Sequence, residues 1–413
     1  MKKINKIILQ ASFFQGWHFF ILGLIIPILV LFQLERGFSL IQIGFNMAIY
    51  SGIVILLEVP SGILADIAGQ KKVYILSVLF KVIAMIIPMF TGNLLLISFT
   101  FVIMGAGRAF SSGSLEAIFI NKAAATATDR NIEKLITWTH ISIPMGLALG
   151  ALLGGWLPNL NIVQLSFITF TDKYSLNFML IFLLGIILAL FFMFFVKEEI
   201  PDVEETVKTD TGTKSPGMIS FAFRTVKNSP LFLVIMISSL AWGLTFSGLE
   251  TFWQPRVFEI TGGEGSTLIY GLLSNGYFLA GVLGSIISWP LCRLLGNKPL
   301  LFLFLQRFLL GGMFFILSGI LKLGWFSAVY ILLFLINEIG NPVEQSILNK
   351  EIPSESRATL LSVVSFVMQA GGMTGSLIWG IISQIKGIGF TWKTGAVILI
   401  LSSIPYLWAY KKN

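Results

Sequence analysis

The chain has 413 residues, 55% hydrophobic and 12% charged, with a mean hydropathy of +0.87. Soluble domains carry about twice that share of charge, so a water-soluble enzyme or nucleic-acid-binding protein is excluded, and the net charge of +8 is informative through its placement rather than as a basic surface. One cysteine, Cys292, and two histidines, His18 and His140, rule out an internal disulfide and a metal cluster built on those residues.

In chain order the composition resolves into membrane-length runs, each needing about 20 apolar residues. Twelve are expected, at 7–33, 39–65, 73–91, 94–120, 135–158, 174–196, 229–254, 265–292, 298–320, 324–348, 359–384 and 391–410. The first follows three lysines but is too long for the apolar core of a signal peptide and lacks a small-residue cleavage site, so it reads as an uncleaved span. Between the sixth and seventh lies the polar stretch KEEIPDVEETVKTDTGTKSPG, broken by Pro and Gly, which reads as a flexible linker. The expected organisation is therefore an all-α membrane protein, with a six-helix bundle over 1–196, a cytoplasmic linker over 197–228 and a second bundle over 229–413. Twelve spans put both termini on one side. That face carries 19 lysines and arginines against 6 on the other, so the termini are expected in the cytoplasm of a multi-pass protein of the cell membrane, plasma or inner. The remaining basic residues, Lys81, Arg108 and Arg307, fall inside spans, and Lys81 and Arg307 are expected to anchor loops or snorkel to the cytoplasmic surface.

The stretch EVPSGILADIAGQKK, Glu58 to Lys72, joins the second and third runs. Gly62 and Gly69 allow a close turn, Asp66 can pair with a cation, and Lys71 and Lys72 mark a cytoplasmic loop. It resembles the loop between helices 2 and 3 of the major facilitator superfamily. Gly62, Leu64, Ala65, Asp66, Gly69, Lys71 and Lys72 fit that pattern, while Ile67 and Gln70 stand where arginines are usual. The chain also repeats itself. SLEAIFINK at 114–122 aligns with PVEQSILNK at 342–350, matching Glu116 with Glu344. Gly146, Gly150 and Gly155 align with Gly371, Gly375 and Gly380, and Gly16 and Tyr50 with Gly243 and Tyr277. Near-constant offsets mean two six-span halves in the same orientation. This is the parallel duplication of that transporter fold, two six-helix bundles related by a pseudo-two-fold, with a substrate site near the midplane.

Ionisable groups inside spans are costly and point to function. Glu58, with no acidic counterpart in the second half, is expected to bind and release protons, as is Glu338, with Arg108 coupling a nearby carboxylate's charge to conformation. Arg108 resembles the fourth-span arginine of proton-driven members. Glu338, flanked by Asn337 and Asn341, and Glu250, beside Trp253, are candidates to meet a cationic substrate. Trp17, His18, Phe20, Phe246, Trp253 and Tyr277 are expected to line the cavity. Glu116, Glu344 and Arg357, with the 62–72 turn, resemble the cytoplasmic gate. The fifth span, PMGLALGALLGGW, resembles the drug–proton antiporter signature through Gly146, Gly150, Gly154 and Gly155, with Ala151 where that signature has Pro. These glycines suit close helix packing equally.

The resemblance implies proton-coupled export of an amphipathic drug or antibiotic by alternating access. The alternatives are proton-coupled transport of a small polar metabolite, and a receptor that uses the fold without net transport. No catalytic constellation, metal site or cofactor is expected. The energy source would be a proton gradient, and the partners would be a small-molecule substrate, protons and lipid rather than nucleic acid, around a monomer.

Overall fold

The computed structural model describes residues 2–112, 114–124, 129–165, 168–198, 229–351 and 357–412. The chain is helical almost throughout. The helices are α1 (Lys2–Ile25), α2 (Leu31–Glu35), α3 (Leu40–Ala68), α4 (Gln70–Phe90), α5 (Leu94–Ser111), α6 (Ser114–Ala124), α7 (Asp129–Trp156) and α8 (Ser175–Phe195). They continue with α9 (Pro230–Thr261), α10 (Leu268–Leu294), α11 (Pro299–Gly319), α12 (Leu323–Glu351), α13 (Arg357–Lys386) and α14 (Ile388–Lys412). A helix satisfies its own backbone groups, which is what an apolar solvent demands. Among the described residues one small ladder interrupts the pattern, where β1 (Gln164–Leu165) pairs antiparallel with β2 (Ile168–Thr169). Among the described residues twelve segments are long and apolar enough to cross a membrane, one at each of the twelve expected runs. The polar stretch 199–228 lies outside the described residues.

Three expected boundaries need correction. The run 7–33 is not one helix: α1 stops at Ile25, and residues 26–30 form turns around Pro27, which has no N–H to donate. The fourth span is broken between α5 and α6, where Ser112 is extended (ψ 118°). The turn expected over 66–72 shrinks to one residue. Gly69, at φ +95°, ψ 141°, separates α3 from α4, so Asp66 stays in helix. A side chain rarely tolerates that conformation.

The contacts gather into two compact units, Met1–Ile200 with Val257–Leu279, and Pro201–Arg256 with Ala280–Asn413. In the first, α1 lies along α7, and a side chain on Gly146, Gly150 or Gly154 would run into the carbonyls of Gly16, Phe20 and Leu24. Asn177 of α8 closes this seam, donating to the carbonyls of Leu24 (3.2 Å) and Gly154 (2.7 Å). In the second unit α13 approaches α9 the same way, with Gly371 and Gly375 against the carbonyls of Leu240 and Leu244. Gly146 and Gly150, with their repeat partners Gly371 and Gly375, therefore make one helix-pair contact inside each unit. Lipid offers no hydrophobic gain for pairing helices, so this backbone proximity and its van der Waals contact hold them.

Candidate functional site

In the first unit the polar residues inside the spans converge. His18 of α1 is buried, with Nδ1 3.0 Å from Tyr74 Oη and Nε2 3.1 Å from Lys81 Nζ, both on α4. Lys81 also donates to Ser111 Oγ of α5 (3.1 Å), and that hydroxyl donates to the Arg108 carbonyl (2.9 Å). Arg108 itself is exposed, yet its charge acts on both His18 and Lys81. Two features of sequence bring this about. Tyr74, Ser77 and Lys81 recur at three- and four-residue spacing and so share one face of α4, while Gly107 lets α5 close onto Lys81. His18 thus joins a bonded cluster with Lys81, which is corrected from snorkelling to an internal partner.

The end of this unit where α3 begins is stitched by Arg36. It donates to Asp172 (2.7 Å) and to the carbonyls of Thr91 (2.9 Å) and Pro88 (2.8 Å). Beside it Glu35 accepts from Tyr174 Oη (2.6 Å) and Lys173 (3.2 Å). Burial and the Glu35 carboxylate push the Tyr174 hydroxyl far up, so it stays a donor.

In the second unit Glu338 of α12 is the centre. Its Oε1 accepts from Asn337 Nδ2 (3.0 Å) and its Oε2 from Asn341 Nδ2 (3.1 Å). Asn337 Oδ1 in turn accepts from the Trp242 indole of α9 at 2.7 Å. Gly284 of α10 makes room, since a Cβ there would fall 2.5 Å from the Leu335 carbonyl and 3.0 Å from Glu338 Cβ. Glu250, exposed and about two turns further along α9, is close enough for the Glu338 charge to act on it. Asn337, Glu338 and Asn341 therefore form one hydrogen-bonded row, with Glu250 nearby.

The expected cavity aromatics contact neighbouring rings and helices. Trp17 meets Phe13 and Phe191, and Phe20 gives its carbonyl to the Gly150 contact. Phe246 is 1% exposed, stacked on Trp242 at 4.6 Å, Trp253 lies against Tyr330, and Tyr277 packs on Phe278 beside Ala148 and Ala151. Trp242, passed over in the sequence, is the ring that reaches the acidic row.

At the gate residues, Gly62 has open space around it and Asp66 is exposed. Lys71 donates to the Met193 carbonyl (2.7 Å), while Lys72 is exposed. The α4 N-terminus, which places these lysines at the positive end of a helix, is capped by Glu198, whose carboxylate accepts from the amides of Gln70 (2.7 Å) and Lys71 (3.1 Å). Glu198 was read as linker, although an acid following a span and a glycine-led helix start were both visible. Glu116 is half-buried on α6. Its counterpart Glu344 is held from inside its unit, by Arg307 (3.3 Å) and the Tyr406 hydroxyl (2.8 Å). Arg307 is thus a buried ion-pair partner rather than a loop anchor. Arg357 begins α13, and its side chain lies outside the described residues. Glu58 is half-buried on α3, and Gly155 is pressed against Gly271. Among the described residues no group of His, Cys, Asp and Glu is placed to hold a metal.

The family model described as Major Facilitator Superfamily matches residues 11–376. An uncharacterised MFS-type transporter of Bacillus subtilis (strain 168), YxaM, is 25% identical over 387 residues, covering 93% of this chain and 91% of that protein. Among solved structures, the nucleoside transporter NupG superposes with a TM-score of 0.77 at 14% identity, covering 98% of this chain and 99% of the other. An inward-facing, unoccupied bacterial homologue of the human lysosomal transporter Spinster reaches 0.79 at 15% identity, covering 99% and 97%. At such identities these structures testify to the fold.

Proposed function

The chain belongs to the major facilitator superfamily, and on that premise we propose that it is a proton-coupled secondary transporter that exports an amphipathic, cation-bearing compound such as a drug or antibiotic by alternating access. The observation that carries this reading is the acidic row on α12. Glu338 is a carboxylate inside a membrane span, half-buried and held by two amides, with a second carboxylate, Glu250, close by and an indole joined to the row. Carboxylates and an aromatic face attract an organic cation. A carboxylate that takes either a proton or a cation makes the two compete, which is the coupling that exchange requires. When protonated, Glu338 can still be satisfied, because an asparagine can turn its amide to offer oxygen in place of nitrogen. Glu58 and Arg108 supply the corresponding charges in the first unit, and the antiporter-like glycines of α7 favour the direction of export.

A second reading has one observation in its favour. The same row is rich in amide donors and acceptors, which suit a polar metabolite such as a sugar or amino acid, and NupG, named as a nucleoside transporter, shares the fold.

Accumulation of ethidium and tetracycline in cells expressing the wild type, Glu338→Gln or Glu58→Gln, with and without a protonophore, separates the readings. Proton-driven export predicts lower accumulation with the wild type, restored to control by the protonophore and by Glu338→Gln. Equal accumulation in every arm overturns drug export, and uptake of polar solutes by proteoliposomes then becomes the assay.

A further inference from the structure

We propose that Lys81 and His18 form a dyad that binds and releases a single proton by exchanging the histidine tautomer, and that this dyad is a proton site of the transporter. The second clause rests on the proton-coupled reading above; the first stands on geometry alone. The hydrogen-bond inventory of the cluster closes in two ways. With Lys81 as ammonium, it donates to His18 Nε2 and to Ser111 Oγ, so His18 carries its proton on Nδ1 and donates to Tyr74 Oη. With Lys81 as neutral amine, its lone pair accepts from His18 Nε2–H, it still donates to Ser111, and Tyr74 Oη–H donates to the bare Nδ1. The two arrangements differ by one proton: lysine holds three N–H in the first and two in the second, while histidine and tyrosine each hold one in both. Every heavy-atom contact survives, because the Lys81–His18 and His18–Tyr74 bonds reverse direction while the Lys81–Ser111 bond keeps its own. The network can therefore change its proton count by one without moving its heavy atoms.

The surroundings fit this exchange. The charged groups acting on His18 are Lys81 of α4 and Arg108 of α5, so any proton on the dyad sits beside a fixed positive charge. The nearby titratable hydroxyls are Tyr74, in the network, and Tyr50 of α3, on which the Arg108 charge also acts. α7 meets α1 through glycines, and α8 presents Ile181, Gly185 and Leu188. These last line a cavity of about 20 Å³ with His18 and Lys81, room for about one water.

The chain has two histidines, so His140→Gln leaves His18 as the sole reporter. ¹⁵N-histidine NMR of that full-length variant in lipid nanodiscs, from about pH 5 to about pH 9, is expected to show the Nδ1–H tautomer at low pH giving way to the Nε2–H tautomer at high pH, with no imidazolium. One tautomer throughout, or an imidazolium on acidification, overturns the dyad. Lys81→Arg keeps the positive charge but cannot release it, so it should lock the Nδ1–H tautomer at every pH. A switch that persists in Lys81→Arg also overturns the proposal. Transport in proteoliposomes separates the two layers. A tautomer switch together with transport indifferent to a protonophore removes proton coupling and leaves the proton site. Protonophore-sensitive transport without the switch does the reverse.

Discussion

At the scale of single residues, the molecule places charge inside helices long and apolar enough to cross a membrane, and Lys81, Arg307, Glu338 and Glu344 each have bonded company there. The clearest case is Arg307, 5% exposed and tied to Glu344, whose other ligand is the Tyr406 hydroxyl. Removing one member of a buried pair strands the other, at a cost of about 3–5 kcal/mol. Arg307→Leu is therefore expected to lower the melting temperature of the purified protein sharply, and Glu344→Gln, which keeps an acceptor for Tyr406, by less. The double variant should recover part of the loss, because no charge is left behind. If the two losses simply add, the pair is not coupled and Glu344 is available to a gate.

At the scale of elements, glycines separate into those the packing requires and those it does not. Gly150 of α7 has the Phe20 carbonyl where its Cβ would be, whereas nothing lies within 4 Å of a Cβ on Gly62. Gly150→Ala must push α1 and α7 apart and lose the contact that holds them, so detergent stability should fall by about 1–3 kcal/mol. Gly62→Ala adds helix propensity in open space and is expected to raise stability by about 0.5–1 kcal/mol. Thermal melts of the two variants check the contrast. A Gly62→Ala variant that is stable yet transports poorly would mean that another segment closes on this glycine in a second conformation, the behaviour expected of a gate. The Glu198 cap on α4 belongs to this scale too: two lysines in the first turn of a helix oppose its dipole, and the carboxylate compensates.

At the scale of the whole molecule, an even number of spans would place both termini on one side, and the lysine and arginine bias predicts that this side is cytoplasmic. Cys292 is the single cysteine, so Cys292→Ala gives a background in which one introduced thiol reports its own location. Lys72→Cys and Lys411→Cys are expected to react with a membrane-impermeant maleimide only in inside-out vesicles, and Lys322→Cys only in intact spheroplasts. Labelling of Lys411→Cys from outside would reverse the assigned orientation.

The sequence by itself determined the number of spans, the repeat and the family, because each is written in local periodicity: runs about 20 residues long, glycines at fixed offsets, a short motif between two spans. It also showed which side chains were costly in lipid, since cost follows residue type, and so it singled out Glu58, Arg108, Glu338 and Glu344. It did not show whom they meet. Lys81 bonding His18 across 63 residues, Trp242 reaching Asn337 across 95, and Tyr406 reaching Glu344 across 62 are contacts between different helices. Their existence depends on helix rotation and close approach, which residue spacing within one helix does not encode. The same holds for the aromatics: a ring in a span can face lipid, a cavity or a neighbouring helix at equal local cost, and packing alone assigned Phe246 and Trp253 to the interior. Local chemistry decided what had to be buried, and tertiary structure decided against what.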